Sequence, residues 1–132
     1  MATTLVMGEE RPSDLVLSSL VRARFCELLA PRVPHGESDL FLVGLFSLMD
    51  AILQLPMGVV LEGISLDHET RAVLLGQKSK LDALYQLMIA QETANWPRLS
   101  ELCAQLKLPE SHVLDCHWKA MQWAREMTTS PA

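Results

Sequence analysis

The stretch FLVGLFSLMDAILQLPMGVVL, Phe41 to Leu61, decides the fold of this chain. It runs 21 residues with one charge, Asp50, near its middle. A helix that crosses a bilayer needs about 20 predominantly apolar residues in succession. Here Pro56 breaks the run, so the unbroken part is only about 15 residues, from Leu40 to near Gln54. An acid at mid-span is also costly in hydrocarbon. The segment is therefore expected to be a buried helix, apolar on nearly every side and surrounded by other helices.

The rest of the chain supports a helical reading. Seven residues are aromatic and 24 are Leu, against twelve Val and Ile together. Leu favours helices, whereas strands select β-branched and aromatic residues. A chain of 132 residues, 49% apolar, fits one domain with a real core. Ser13 or Asp14 can cap a first helix that runs to about Ala30, with a stripe formed by Leu17, Leu20, Val21, Phe25 and Leu28. Residues 1–12 read as the end of a preceding helix and its turn. After the loop PRVPHGE, Ser38 or Asp39 caps the apolar helix, which continues to about Gln54. Short helices follow at PMGVVLEGI and LDHETRAVLLG, the latter with Asp67 as N-cap and Gly76 at its C-terminal turn. SKLDALYQLMIAQETANW forms a longer helix. Pro97 and Pro109 each restart a helix, and the tail 128–132 is expected to fray. The pair from Leu81 to Leu106 is similar to a single tetratricopeptide-like hairpin, which makes a helical-repeat-like scaffold an alternative. One copy falls short of the three or so repeats that a solenoid needs. The expected fold is all-α, a compact bundle of about seven helices in one domain, 1–132.

Charge and cysteine usage limit the function. The net charge is −5, with 16 acids against 11 bases. That argues against nucleic acid and anionic membranes as partners, and for other proteins. Cys26, Cys103 and Cys116 are odd in number and far apart, so reduced thiols and a cytoplasmic location are expected. No phosphate-binding glycine loop, nucleophile elbow or catalytic Cys/His signature is present. His112 and Cys116 stand four apart on a helix without a second ligand pair. Asp115, Cys116 and His117 point about 100° apart and do not converge. Asp67, His68 and Glu69 suit a helix N-terminus. A degenerate metal-dependent phosphohydrolase built from His35, Asp67, His68 or His112 is the enzymatic alternative. The expectation is that the chain is no enzyme and holds no metal or cofactor.

Asp50 is the acid to single out, because a buried carboxylate takes a partner or shifts its pKa upward. Helices one and two should run antiparallel, which brings Asp50 level with Leu20 to Arg24. Arg22 and Arg24 are its candidate ion-pair partners. Leu5, Val6, Met7, Leu15 and Val16 are the candidate interaction patch.

Two longer stretches carry a family likeness. LVRARFCELLA at Leu20 to Ala30 and DLFLVGLFSLMDAILQLPMGVVLEGISL at Asp39 to Leu66 are followed by VLLG and a helix ending ANW. In that order they resemble the C-terminal part of HDOD (HD-related output) domains. The match is closest to the module that follows an EAL domain in bacterial cyclic di-GMP signalling proteins. The resemblance covers nearly the whole chain but only part of the family domain, so the chain is expected to be an excised piece or a short natural derivative. It implies an HD-domain-like helical fold, a partial HDOD. The implied role is a non-catalytic signal-transduction output module that contacts other protein domains: an EAL-like domain, the missing part of the HDOD domain, or a second copy in a homodimer. The family's HD-type metal ligands have no counterpart here, since the chain lacks any His-Asp dipeptide.

Overall fold

The computed structural model describes residues 12–36 and 38–129. Among them are eight α-helices and one 3₁₀ turn, with no strand. The helices are α1 (Pro12–Leu29), α2 (Leu40–Phe46), α3 (Met49–Leu53), α4 (Met57–Val60), α5 (His68–Leu74), α6 (Asp82–Glu92), α7 (Trp96–Leu106) and α8 (Glu110–Thr129). The 3₁₀ turn, Ala30–Arg32, follows α1 directly. One apolar cluster, from Phe25 and Leu29 through Leu61, Leu87 and Leu102 to Val113 and Ala120, joins these elements. No described helix is long and apolar enough to cross a membrane.

The surrounded helix is α1 and not, as the apolar run suggests, the helix after the first loop. α1 packs most extensively on α2 and α8, and also touches α3 and α6. Three of its sides carry identifiable contacts. Ser19 Oγ donates to the carbonyl of Leu45 in α2 at 2.7 Å. Phe25 meets the ring of His117 in α8 edge-on at 5.8 Å. Cys26 Sγ lies 3.6 Å from Met88 Sδ in α6. Of the stripe expected from the sequence, only Phe25 is fully buried; Leu17, Leu20, Val21 and Leu28 are half-buried. A helix enclosed on several sides has no single apolar stripe to read.

The long apolar segment is also divided. Ser47 ends α2: its N–H turns back to the carbonyl of Gly44 at 3.3 Å. Its hydroxyl donates to that same carbonyl at 2.6 Å. Leu48 then leaves helical geometry at φ −114°, ψ 4°, and α3 begins at Met49. A serine bonded to its own preceding turn competes with helix continuation, and this one is also held by α1.

Gly44 explains the closeness of that seam. A Cβ at this position would lie 2.4 Å from the carbonyl carbon and oxygen of Arg22 and 2.5 Å from the N of Ala23. The backbone of α2 therefore rests directly on that of α1, and Ala23 is fully buried there.

Elsewhere the boundaries follow local chemistry. Asp67 Oδ1 accepts from the N–H of Thr70 at 2.7 Å and caps α5. Gly76 follows that helix at φ +78°, the left-handed turn that glycine adopts without cost. Asn95 caps α7, with Pro97 in its first turn. α6 and α7 pack against each other. α6 stops at Glu92, earlier than the sequence suggests, and Ala94 turns the chain at φ 57°. Pro12 already belongs to α1, and the helix at the C-terminal end runs on to Thr129 where fraying was expected from 128. Thr128 Oγ1 donates to the Ala124 carbonyl at 3.0 Å there. The expected end of a preceding helix at 1–11 lies outside the described residues.

Gly44→Ala tests the seam. In an open helix this change stabilises by about 0.5–1 kcal/mol; here the backbone must separate, and a loss of about 1–3 kcal/mol is expected in chemical denaturation. Gly58→Ala serves as the control, because nothing lies within 4 Å of its added Cβ. It should leave the denaturation midpoint unchanged or raise it.

Candidate functional site

Arg22 is the polar centre of the bundle. It is 9% exposed, yet every side of its guanidinium is used. Nε donates to Glu92 Oε2 at 2.9 Å and Nη2 to Glu92 Oε1 at 2.5 Å, a bidentate pair between α1 and the C-terminal end of α6. Nη1 donates to Ser47 Oγ at 3.0 Å. One arginine thus joins α1, α2 and α6. Burial works against its charge, but the hydrogen bond and charge of Glu92 more than reverse this, and its pKa lies above the usual value. A planar fork matches a carboxylate in two places at once, which lysine cannot do.

The acid that counting places opposite Arg22 is not the acid Arg22 uses. Asp50 Oδ1 accepts from the adjacent N–H of Ala51 at 2.8 Å. Its charge is felt at Tyr85, whose hydroxyl is pushed up by burial, pulled back by Arg22 and raised further by Asp50. Arg24 pairs with Glu27 one turn on, at 2.6 Å, and stacks over Trp123 at 5.5 Å. Glu92 is 70 residues from Arg22 in sequence. No local spacing could have revealed that contact; only the docking of α6 on α1 creates it.

Among the described residues no group of three or more His, Cys, Asp and Glu side chains could hold a metal ion. Asp67 is occupied as a cap; burial raises its pKa, but hydrogen bonds from Thr70 and Ser38 outweigh this and hold it low. His112 Nε2 lies 3.5 Å from Cys116 Sγ. All three thiols are buried. Burial pushes Cys26 up to about 12, which removes it as a nucleophile at neutral pH.

Two surface features adjoin α1 and the apolar segment that follows it. The first is an exposed apolar turn. Leu53 (52% exposed), Leu55 (44%) and Val59 (44%) all face solvent around Pro56, inside the segment that is most apolar in sequence. The second is a cleft of about 210 Å³ between α1 and α8, with Glu92 of α6 among its lining residues. His117 lines it, and burial lowers the pKa of that imidazole while Glu92 pulls the other way. Of the patch expected from sequence, Leu15 is half-buried and Val16 is 41% exposed. Leu5, Val6 and Met7 lie outside the described residues.

The chain has curated relatives. It is 29% identical over 121 residues to the protein YuxH of Bacillus subtilis, across 91% of this chain and 29% of YuxH. It is 27% identical over 130 residues to the cyclic di-GMP phosphodiesterase CdgJ of Vibrio cholerae, across 96% of this chain and 30% of CdgJ. The chain thus spans less than a third of the length of each relative. No family model matches it, and no solved structure matches it significantly.

Removing one partner of the central pair should be costly, because the other charge stays behind. Glu92 is partly exposed, so Glu92→Ala is expected to lose about 2 kcal/mol in urea denaturation; Asp50→Asn should stay within about 0.5 kcal/mol of wild type.

His117 gives a pH signature. Its folded pKa lies below the ordinary 6.5, so the unfolded chain takes up the proton first. Its contribution is fully present above that value and is lost as pH falls through and below it. The thermal midpoint should drop between pH 7.5 and 5, and His117→Gln should flatten that drop.

Proposed function

We propose that this chain is a non-catalytic helical output module of a bacterial signal-transduction protein, linked to cyclic di-GMP signalling and of HDOD type. The observation that carries the reading is the exposed Leu53–Leu55–Val59 turn. Large apolar side chains grouped in one exposed stretch mark a surface that another protein covers. Distant similarity to CdgJ supports the cyclic di-GMP link. The matched region is under a third of that enzyme, so its phosphodiesterase activity is not carried over to this chain. In this reading the turn packs against a neighbouring domain, an EAL-like domain or the remainder of an HDOD domain, in the bacterial cytoplasm. When no such neighbour is present, the turn packs against a second copy.

Light scattering across a concentration series tests this. Wild type is expected to self-associate and to bind an apolar dye. Leu55→Glu combined with Val59→Lys is expected to be monomeric with an unchanged thermal midpoint. A wild type that stays monomeric at every concentration and binds no dye would contradict the interaction role. Hydrolysis of cyclic di-GMP by the purified chain, with magnesium or manganese present, would contradict the non-catalytic one.

A further inference from the structure

The exposed turn carries a charge pattern as well as apolar side chains. Between Arg32 and Arg71 the chain has no lysine or arginine, but it has six acids: Glu37, Asp39, Asp50, Glu62, Asp67 and Glu69. Three of these are used inside the fold. Asp39 accepts from the N–H of Leu42 and Asp67 from that of Thr70, each capping a helix. Glu69 Oε1 accepts from the N–H of Lys80 at 2.7 Å and from the hydroxyl of Ser79 at 3.1 Å. Glu37 lies outside the described residues.

Asp50 and Glu62 flank the turn. Asp50 stands three residues before Leu53 on α3, a spacing that makes two side chains neighbours on a helix. Glu62 stands three after Val59, and its N–H donates to the Val59 carbonyl at 3.2 Å. Asp50 accepts only from the N–H of the next residue, and Glu62 is exposed. The ion pairs among the described residues use Glu27, Glu92, Glu101 and Asp115 instead. The base nearest Glu62 in sequence is Arg71. Its two terminal nitrogens donate to the backbone carbonyls of Leu61 and Ile64. Even with Arg71 counted in full against Asp50 and Glu62, the rim of the turn keeps an excess of negative charge.

That rim narrows what can cover Leu53, Leu55 and Val59. A neutral apolar surface would strip water from the two carboxylates and return no partner, which is costly. An anionic bilayer repels them. A second copy meeting the same patch sets acid against acid. A surface with an apolar centre and cations around it satisfies both the leucines and the carboxylates. We infer that the turn docks on a partner domain whose apolar contact surface is rimmed by lysine or arginine side chains. The inference rests on the interaction-module reading and gives that reading a partner chemistry. A second copy is then the weaker occupant, held by apolar contact against charge repulsion.

Two amphipathic peptides of about 15 residues, one of leucine and lysine and one of leucine and glutamate, are the probes. Each is titrated into nitrogen-15-labelled protein, dilute enough to be monomeric, at about 50 mM and about 300 mM sodium chloride. The lysine peptide is expected to shift the amides of Leu53, Leu55 and Val59 saturably. At the lower salt it should bind about tenfold tighter than the glutamate peptide, and most of that preference should vanish at the higher salt. Asp50→Asn combined with Glu62→Gln should weaken the lysine peptide about fivefold with an unchanged thermal midpoint. Glu101→Gln combined with Glu126→Gln removes the same charge from other parts of the surface and should change its affinity less than about twofold. Equal binding of the two peptides at the turn would overturn the inference and leave the interaction-module reading standing. So would equal losses in the two double variants, or lysine-peptide shifts confined to other faces. No shift at the turn from either peptide also overturns it; the wider reading is then decided by self-association of the chain, which the inference does not require.

Discussion

The bundle depends on one close approach. At Gly44 the backbone of α2 lies on the backbone of α1, with no side chain between them. Two helices that near can share polar groups directly, and they do so on both sides of the contact. Ser19 reaches the Leu45 carbonyl, and Ser47 takes a bond from Arg22 while closing α2 on itself. The same serine that ends α2 thus fixes the guanidinium. From there Arg22 reaches Glu92, which ties the far end of α6 to the seam. A buried arginine is tolerable because all three arms of its fork are satisfied at once.

That arrangement also explains where the apolar residues go. α1 occupies the middle, so its sides divide among α2, α6 and α8. The segment after Ser47 is pushed to the rim. α3 and α4 contain no fully buried residue, although their sequence is among the most apolar in the chain. Leu53, Leu55 and Val59 are left in solvent by topology, since the core is already filled by Leu29, Leu61, Leu87 and Leu102. An apolar surface left over in this way is the physical basis for reading the chain as a module that meets another protein.

Much of this was legible in the sequence, and the gaps have causes. Asp67, Gly76, Pro97 and Pro109 announced helix ends, because caps, left-handed turns and missing N–H groups act within four residues. The all-helical class followed from Leu against Val and Ile. The split at Ser47 did not show, since a serine ends a helix only where its hydroxyl has a use, and that use is supplied by α1. Which helix is central did not show either. Hydropathy measures how apolar a segment is, not how many neighbours it has. The importance of Arg22 was legible, but its partner was not: antiparallel counting reaches Asp50 across one loop, whereas Glu92 arrives through tertiary docking. The cleft beside it combines residues from α1, α6 and α8, and no spacing in the chain brings these together.

The central claim is that Arg22 locks α1, α2 and α6 through Glu92. Nitrogen-15 NMR of the arginine side chains reads it most directly. The account predicts a resolved Arg22 Nε–H resonance, protected from exchange with water, that moves strongly in Glu92→Gln and barely in Asp50→Asn. An Arg22 signal exchanging as fast as those of the surface arginines, or one that responds to Asp50 instead, would contradict it.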